Sequence, residues 1–347
     1  SLATLQYSTA ALVVDYTCKF DNVKGLTIRD LGIVRVDNNT DGDNDIIQFI
    51  DCDTVLLTSC FLYGSTGSNY SFSSSWNAQS YKKMIRATSC IGFEMSNCYL
   101  QGVGIYLYTH QGTLQIADEN EYRILNNVGI VQIKTSGANG SSYPRYASVD
   151  LLVKNNIFDS TNYYLDDAIY VYTRNNYCSD NTSYRIIIDG NRISHSTGYS
   201  VVGRRVYLLN NSLSTNTSRY PLVNEWVFKN NFVNTSGQNG SDLAHFVQVD
   251  TILNNTFSHY NATVVELQEE RNSNVNPHPT FFANNYITAY GNGTTQALYI
   301  DNTLDPGSVI AHNSINQLGT GNAIGLYFEQ SVDDITVKNN IISCAGG

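Results

Sequence analysis

The chain has few charged residues and no long apolar run. Charged residues make up only 14% of its 347 residues, and 30 acidic side chains against 20 basic ones give a net charge of −10. This balance disfavours a polyanionic partner, nucleic acid included, unless the fold gathers its cations into a basic groove. No apolar stretch approaches the length of a membrane span, so we expect no membrane insertion.

Helical patterning is also absent, because no window combines a sustained helical repeat with capping residues. Apolar and polar residues instead alternate with period two in segments rich in Val, Ile and Tyr, such as residues 168–172, 184–189 and 297–301. This alternation is typical of β-strands. The 42% hydrophobic content indicates a folded, β-rich chain whose surface is polar but largely uncharged.

A short phrase recurs along almost the whole chain, for example Val-Lys-Asn-Asn-Ile-Phe at 153–158 and Phe-Lys-Asn-Asn-Phe-Val at 228–233. We call the position of the second Asn the slot. Successive slots hold Leu31, Cys60, Cys98, Asn127, Asn156, Asn191, Asn211, Asn231, Asn255, Asn285, Asn313 and Asn340. Spacings of 20 to 38 residues predict a solenoid, and a coil of short strands stacked on itself predicts an all-β, parallel β-helix of about twelve rungs.

The Asn at each slot has a physical reason. Asn tolerates the left-handed backbone region, which suits it to a tight bend between strands. Stacked one rung above another, its amide can also hydrogen-bond to the next amide and satisfy polar groups that the coil would otherwise bury.

The repeat runs without a break in composition, so we interpret residues 1–347 as a single β-helix domain. An open solenoid needs caps that block edge pairing. The chain opens and stops at plausible rungs, so we expect it to be part of a larger protein. Its polar, uncharged surface favours an extracellular location or the surface of a cell or virion.

Cysteines stand at matched positions on neighbouring rungs. Cys52 and Cys90 lie eight residues before Cys60 and Cys98. The favoured interpretation is two stacks of buried thiols, and the alternative is cross-rung disulfides that join Cys52 to Cys90 and Cys60 to Cys98. No Cys-x-x-Cys spacing indicates zinc.

The rung pattern resembles the right-handed parallel β-helix superfamily, which includes pectate lyases, polygalacturonases, alginate lyases and epimerases, and phage tailspikes. The resemblance covers nearly the whole chain. It implies a right-handed helix, a polysaccharide or cell-surface glycan as partner, and a homotrimer if the chain belongs to a spike. Residues 39–42, Asn-Thr-Asp-Gly, are similar to a polygalacturonase segment, but the Gly-His-Gly and Arg-x-Lys motifs of that family are missing from the sequence. The polygalacturonase assignment therefore fails.

Clustered acidic residues between 41 and 45 could bind calcium. Asp41, Asp43 and Asp45 offer the hard oxygen ligands that this ion prefers, and pectate-lyase-type chemistry uses calcium. A solvated acidic turn is the favoured alternative. No other cofactor is indicated.

A second set of candidates comes from the strands that precede the Asn bend, where alternate residues should point outward. Aligning these strands over successive rungs predicts an outward ladder of Tyr170/Tyr172, Val202/Arg204, Gln248/Asp250, Glu266/Gln268, Tyr299/Asp301 and Tyr327/Glu329. In this alignment Asp250 and Glu266 lie roughly 8 Å apart at the backbone, which is compatible with acid/base cleavage of a glycosidic bond.

From this ladder we predict Asp250, Glu266 and Asp301 as catalytic carboxylates. Tyr rings suit contact with sugar rings, and polar side chains can hydrogen-bond to sugar hydroxyls. The predicted substrate-binding residues are therefore Tyr170, Tyr172, Arg204, Gln248, Tyr299, Tyr327 and Glu329. The alternative is a solvated sheet face whose polar residues only keep it soluble.

Three functions remain open at this point. The first is a polysaccharide lyase or glycosidase that acts on a glycan laid along the ladder. The second is a glycan-binding segment without chemistry, such as part of an adhesin or a phage tailspike. The third is a structural spacer. The Tyr-rich ladder disfavours the spacer, and the missing motifs weaken the case for an enzyme.

Overall fold

The computed structural model describes most of the strand-forming parts of the chain. The described residues are 3–6, 11–14, 18–35, 45–64, 84–108, 120–136, 149–159, 168–172, 185–195, 199–202, 206–215, 226–234, 244–247, 249–268, 279–301, 304–330 and 334–345.

Every regular element in these ranges is a β-strand. The first sixteen are β1 (Ala3–Gln6), β2 (Ala11–Val14), β3 (Cys18–Asp21), β4 (Leu26–Arg29), β5 (Gly32–Arg35), β6 (Ile47–Ile50), β7 (Thr54–Thr58), β8 (Phe61–Gly64), β9 (Met84–Thr88), β10 (Gly92–Ser96), β11 (Tyr99–Tyr108), β12 (Asn120–Leu125), β13 (Val128–Ser136), β14 (Val149–Lys154), β15 (Ile157–Asp159) and β16 (Ile169–Tyr172). The others are β17 (Ile186–Asp189), β18 (Arg192–His195), β19 (Tyr199–Val202), β20 (Val206–Leu209), β21 (Ser212–Thr215), β22 (Trp226–Lys229), β23 (Phe232–Asn234), β24 (Ala244–Val247), β25 (Thr251–Leu253), β26 (Thr256–Tyr260), β27 (Thr263–Gln268), β28 (Phe281–Ala283), β29 (Tyr286–Tyr290), β30 (Thr295–Asp301), β31 (Val309–Ala311), β32 (Ser314–Gln317), β33 (Ala323–Phe328), β34 (Thr336–Lys338) and β35 (Ile341–Cys344).

The chain divides into two compact units, residues 1–187 and 188–347. In the first unit, the first sheet runs β1-β4-β7-β10-β12-β14, and the second contains β2, β3, β5, β6, β8, β9, β11, β13, β15 and β16. In the second unit, the first sheet includes β20-β22-β25-β28-β31-β34, the second includes β21, β23, β26, β29, β32 and β35, and a third runs β24-β27-β30-β33.

Each strand pairs in parallel with the strand that follows one repeat later, as β10 does with β12 and β28 does with β31. Parallel pairing needs a long return connection, and here the rest of each turn provides it. This is the parallel β-helix predicted from the repeat. The single-domain interpretation and the rung count stay predictions. No helix in the described part of the chain is long and apolar enough to cross a membrane.

The slot residues form the predicted ladder in the second unit. Asn211, for example, donates from its backbone N to Asn231 Oδ1 at 2.9 Å and from its Nδ2 to the same oxygen at 3.0 Å. Its Nδ2 also donates to the carbonyl of Ile188 at 2.8 Å. The same pattern continues through the buried residues Asn231, Asn255, Asn285 and Asn313 to the half-exposed Asn340. Each buried amide therefore has partners on neighbouring strands, as buried polar groups require.

In the first unit, cysteine occupies the slot without breaking the pattern. Cys98 donates its backbone N–H to Asn127 Oδ1 at 2.9 Å, and its Sγ lies 3.7 Å from the carbonyl of Leu57. Cys60 Sγ lies at the same distance from the carbonyl of Ile28. The thiol thus takes the place of the amide at the matching acceptor. All six described cysteines are free, which confirms the favoured thiol interpretation.

The left-handed bend lies one residue earlier than we expected. The residue before each slot, not the slot residue, has a positive φ, between 52° and 66°. These residues are Asp30, Ser59, Asn97, Asn126, Asn155, Gly190, Asn210, Asn230, Asn254, Asn284, His312 and Asn339. The two residues of the Asn-Asn pair therefore have different roles. The first makes the left-handed bend, and the second forms the buried ladder.

Candidate functional site

The third sheet of the second unit carries the main candidate site. Its strands pair so that Glu266 lies opposite Tyr299, and Tyr299 opposite Tyr327. In the next outward position Gln268 lies opposite Asp301. We call the side formed by Glu266, Gln268, Tyr299, Asp301, Tyr327 and Glu329 the acidic face.

The alternation that produces this face is visible in the burial of the strands. Val265, Leu267, Leu298 and Ile300 point inward and are at most 2% exposed, whereas Tyr299 and Asp301 between and beside them are half-buried. The alignment of these three rungs from the sequence is therefore confirmed. Period-two patterning fixes which side chains share a face of a strand.

Asp301 and Glu329 form the chemical centre of the face. Their side chains hydrogen-bond to each other, and this contact is the largest cause of the lowered pKa of Glu329. Through this contact the neighbouring side chain of Asp301 favours the charged form of Glu329. Gln268 donates from its Nε2 to Asp301 Oδ2 at 2.9 Å and so helps to hold the Asp301 side chain in place.

Tyr299 supports the charged state of Glu329. A hydrogen bond from Tyr299 is the second cause that lowers the pKa of Glu329. The pKa of Tyr299 itself is raised, first by burial and then by the hydrogen bond to Glu329 and the negative charge of Asp301, Glu329 and Glu266. This tyrosine is therefore a proton donor in hydrogen bonds and not a phenolate base.

The tyrosine rings differ from the sequence-based picture of open sugar platforms. Tyr299 and Tyr327 stack on each other, with ring centroids 5.6 Å apart and an angle of 12° between the planes. One face of each ring is covered by the other. Tyr327, which is 40% exposed, offers the larger open surface.

Glu266 completes the face from the neighbouring strand and is only 8% exposed. Asp301 pairs directly with Gln268, so it lies one strand and two residues away from Glu266. That diagonal corresponds to roughly 8 Å at the backbone. The inverting glycosidases hold their two carboxyls about 6.5 to 9.5 Å apart, so Glu266 and Asp301 have a backbone spacing suited to that chemistry.

The predicted pairing of Asp250 with Glu266 is wrong. Strand β24 places Ala244 opposite Val265 and His245 opposite Glu266, three residues away from our alignment. Asp250 instead precedes β25 of the first sheet, where its carbonyl accepts from Phe281 N at 2.8 Å. Asp250 therefore does not share the acidic face. Gln248 lies outside the described residues.

Aromatic packing explains this shift. The inward residue of β24 is Phe246, which is 4% exposed and lies 5.0 Å from the ring of Phe228 and 6.1 Å from that of Phe257. The sequence alternation predicted Val247 and Val249 as inward residues, and Val249 is buried, at 3% exposed, but it lies beyond the end of β24. The large ring of Phe246 takes the core position, since burying an aromatic side chain removes more apolar area from water.

The remaining ladder residues fall elsewhere. Tyr170 and Tyr172 belong to β16 in the first unit, in register with Lys134 and Ser136 of β13. Their inward neighbours Ile169 and Val171 are buried as predicted. The predicted substrate-binding residue Arg204 lies outside the described residues.

Asp45 does not have the environment of an open calcium ligand. It is 0% exposed, its Oδ2 forms an ion pair with Arg86 Nε at 2.7 Å, and the same oxygen accepts a hydrogen bond from Gln48 Nε2 at 2.6 Å. The carboxylate is thus held by a cation and an amide within the protein. Asp41 and Asp43 lie outside the described residues. Within the described ranges, no group of three or more His, Cys, Asp or Glu side chains could hold a metal ion.

Comparison with known proteins gives a likeness of structure only. No family model matches the sequence, and neither does any curated protein. Among solved structures, the chain is similar to the A-module of the Azotobacter vinelandii mannuronan C-5 epimerase AlgE6, with 11% identity and a TM-score of 0.46. The match covers 100% of this chain and 92% of that one. A likeness this distant carries no argument about function.

Proposed function

We propose that the acidic face binds a neutral polysaccharide outside the cell and that Asp301 and Glu266 cleave a glycosidic bond in it. The observation that carries this proposal is the placement of Glu266 and Asp301 on one outward sheet face, one strand and two residues apart. Two carboxyl groups at that spacing suit general acid and general base catalysis of glycoside cleavage.

A neutral glycan fits the charge of the face. Its described residues include three carboxyl groups, on Glu266, Asp301 and Glu329, and no Lys or Arg. A uronate chain would be repelled by this charge. Sugar hydroxyls, in contrast, can donate to carboxylates and accept from the Gln268 amide.

The chemistry follows from the positions of the two carboxyl groups. Asp301 would protonate the leaving glycosidic oxygen, and the carboxylate of Glu266 would take a proton from the attacking water. Glu329 and Gln268 would position Asp301. Elimination by a lyase needs a base and a cation that neutralises the substrate carboxylate. The raised pKa of Tyr299 and the lack of described cations on the face both favour hydrolysis instead.

A second candidate is glycan binding without cleavage, as in an adhesin or a spike segment. The stacked Tyr299 and Tyr327 favour it, because a preformed aromatic pair next to carboxylates is a binding surface whether or not a bond is broken. The hydrogen bond between Asp301 and Glu329 would also have to open before Asp301 could reach a glycosidic oxygen.

The test is a screen of the purified chain against neutral and acidic polysaccharides, which measures new reducing ends and the absorbance of unsaturated uronates. The proposal predicts reducing ends from a neutral polysaccharide without that absorbance. Retention of a neutral polysaccharide without new ends would favour the binding function. Unsaturated products from a uronate chain would overturn the assignment of a hydrolase to the acidic face.

A further inference from the structure

An unbroken row of apolar side chains runs along the outside of the second sheet in the first unit. It consists of Phe61, Tyr99, Val128 and Ile157, each the first residue after a slot and each paired directly with the next. Their exposed fractions are 41%, 48%, 38% and 41%. We call these four residues the apolar stripe. None of them was predicted as a site residue from the sequence.

The fold does not require apolar residues at this position of the rung. In the second unit the same position holds, on successive paired strands, Ser212, Phe232, Thr256, Tyr286 and Ser314. Hydroxyl side chains thus alternate with aromatic ones there, whereas the first unit has four apolar side chains in succession. A contiguous row of exposed apolar side chains marks a binding surface.

A column of polar, uncharged side chains accompanies the stripe. The bend residues Ser59, Asn97, Asn126 and Asn155 lie two positions before its members, and all four are exposed with φ of 53° to 55°. Asn155 donates from its Nδ2 to Asn126 Oδ1 at 3.3 Å, which aligns these two amides across the rungs. Amides and hydroxyls both donate and accept hydrogen bonds, so the column suits a ligand rich in hydroxyl groups.

The surface is also uncharged. None of the eight residues in the two columns is acidic or basic. The next outward positions on the same strands carry charge only at the last rung, where Lys154 and Asp159 have opposite signs. A carboxylate laid along the stripe would lose its hydration against apolar side chains. The surface therefore favours a neutral ligand.

The size of the stripe favours a short oligosaccharide over a second copy of the chain. A whole aromatic side chain has about 150–250 Å² of surface, so the four partly exposed side chains offer on the order of 300 Å². Each partner in a stable protein dimer buries about 800 Å². Neighbouring strands lie about 4.8 Å apart, which is close to the length of one pyranose residue in an extended glycan.

We propose that the apolar stripe binds an extended neutral oligosaccharide, with one pyranose ring on each rung. The C–H groups of the sugars contact the stripe, and their hydroxyls hydrogen-bond to the amides of Asn97, Asn126 and Asn155. Phe61 pairs with Gly32, which has no side chain to cover the ring, so a terminal sugar can stack on Phe61 at that end. This site lies in the first unit and does not rest on the hydrolase proposed for the acidic face.

The experiment is titration calorimetry of the whole chain with Asp301→Asn as background, so that the acidic face does not cleave the ligand. The probes are cellohexaose, which is neutral and extended, maltohexaose, which has the same sugar in a curved chain, and an oligogalacturonate, which is charged. We expect cellohexaose to bind and the other two to bind at least about tenfold more weakly, because neither combines the matching spacing with neutrality.

Phe61→Ser and Tyr99→Ser introduce a residue that the same position accepts in the second unit. Each should weaken cellohexaose binding at least about tenfold, while circular dichroism shows the parent fold. The matched control is Phe232→Ser, which removes a ring that is 47% exposed but lies between Ser212 and Thr256. Its affinity should stay within about twofold of the parent, as expected for a side chain outside the bound surface.

Asn126→Ser tests the amide column, since Ser59 shows that serine adopts the same φ. It should weaken cellohexaose binding about three- to tenfold. No binding of cellohexaose, equal binding of maltohexaose, or unchanged affinity in Phe61→Ser and Tyr99→Ser would each overturn the proposal. Dimerisation of the parent in sedimentation analysis that Phe61→Ser abolishes would assign the stripe to a second copy instead. Binding at the acidic face would survive the stripe variants, so the two proposals can fail separately.

Discussion

Replacing Asn231 by Leu tests whether the buried amide ladder stabilises the fold. Asn231 is 2% exposed and has partners on both sides. Its Oδ1 accepts from the backbone N of Asn211 at 2.9 Å and from that residue's Nδ2 at 3.0 Å. Its Nδ2 donates to the carbonyl of Leu208 at 2.9 Å and to Asn255 Oδ1 at 3.2 Å. Leu can replace none of these contacts.

The magnitude follows from the groups left without partners. The Asn211 backbone N–H loses its acceptor inside the core, while its Nδ2 keeps the Ile188 carbonyl. The Leu208 carbonyl loses the amide donor. Buried groups that lose a partner cost about 1–3 kcal/mol each, and the added apolar surface of Leu returns about 1–2 kcal/mol. We expect a net loss of about 3 kcal/mol in the free energy of unfolding.

The assay is denaturant unfolding followed by circular dichroism, with Asn340→Leu as the control. Asn340 makes the same kind of contacts to Asn313 and to the carbonyl of Ile310, but it is only half-buried. Water can therefore replace the lost hydrogen bonds. Asn340→Leu should lower the free energy of unfolding by only about 1 kcal/mol. An Asn231→Leu variant as stable as the parent, or no more affected than Asn340→Leu, would refute the ladder as a source of stability.

Three further predictions follow from other positions. Gly129 has φ of +82°, and a Cβ there would lie 2.0 Å from the carbonyl oxygen of Leu100, whereas a Cβ at Gly293 would meet nothing nearer than 3.9 Å. Gly129→Ala should therefore lower the free energy of unfolding by at least about 2 kcal/mol in the same assay, and Gly293→Ala should lower it by far less. Equal losses in the two variants would contradict the close approach of Gly129 to the Leu100 carbonyl. The free energy of unfolding of Cys98→Asn should lie within about 1 kcal/mol of the parent value, because the thiol already occupies the place of a ladder amide. A large loss of stability would show that this slot of the first unit does not accept an amide. Carboxyl titration by NMR should find the pKa of Glu329 below its usual value and, in Asp301→Ala, closer to that value, because the hydrogen bond with Asp301 is gone. An unchanged pKa of Glu329 in this variant would show that the contact with Asp301 does not lower it.

The acid dependence of Glu329 has a definite sign. A carboxyl whose pKa is lowered in the folded state adds stability at pH values above its unfolded pKa, and that stability is lost as the pH falls through the folded pKa. Because Glu329 is exposed, solvent screens the effect and only its direction is predicted. Glu329→Gln should remove the contribution of Glu329 to the loss of folding stability at low pH.

Much of the fold was predictable because the repeat constrains it. A slot that returns every 20 to 38 residues, and that is filled in most rungs by the second residue of an Asn-Asn pair, specifies both a bend and a buried hydrogen-bonding position. What the repeat could not show is which of two adjacent Asn residues takes which role, since both are compatible with either. The φ values assign the bend to Asn230 and the ladder to Asn231.

The candidate site was predictable where strands alternate without interruption. Glu266, Tyr299 and Tyr327 fall in one column as expected because Val265, Leu298 and their neighbours fix the inward side. The register of β24 was not predictable in the same way, because Phe246 packs on Phe228 inside the core and sequence alternation alone could not show this contact.

The most direct test of the proposed function is the rate at which Asp301→Asn releases reducing ends from the neutral polysaccharide that the parent cleaves. The control is Asp334→Asn, at an exposed position whose φ of 55° Asn also adopts. Loss of a general acid should lower the rate about 10²- to 10⁴-fold, while the control keeps the parent rate and both variants keep the parent fold. Parent-like cleavage by Asp301→Asn would contradict the account of the acidic face.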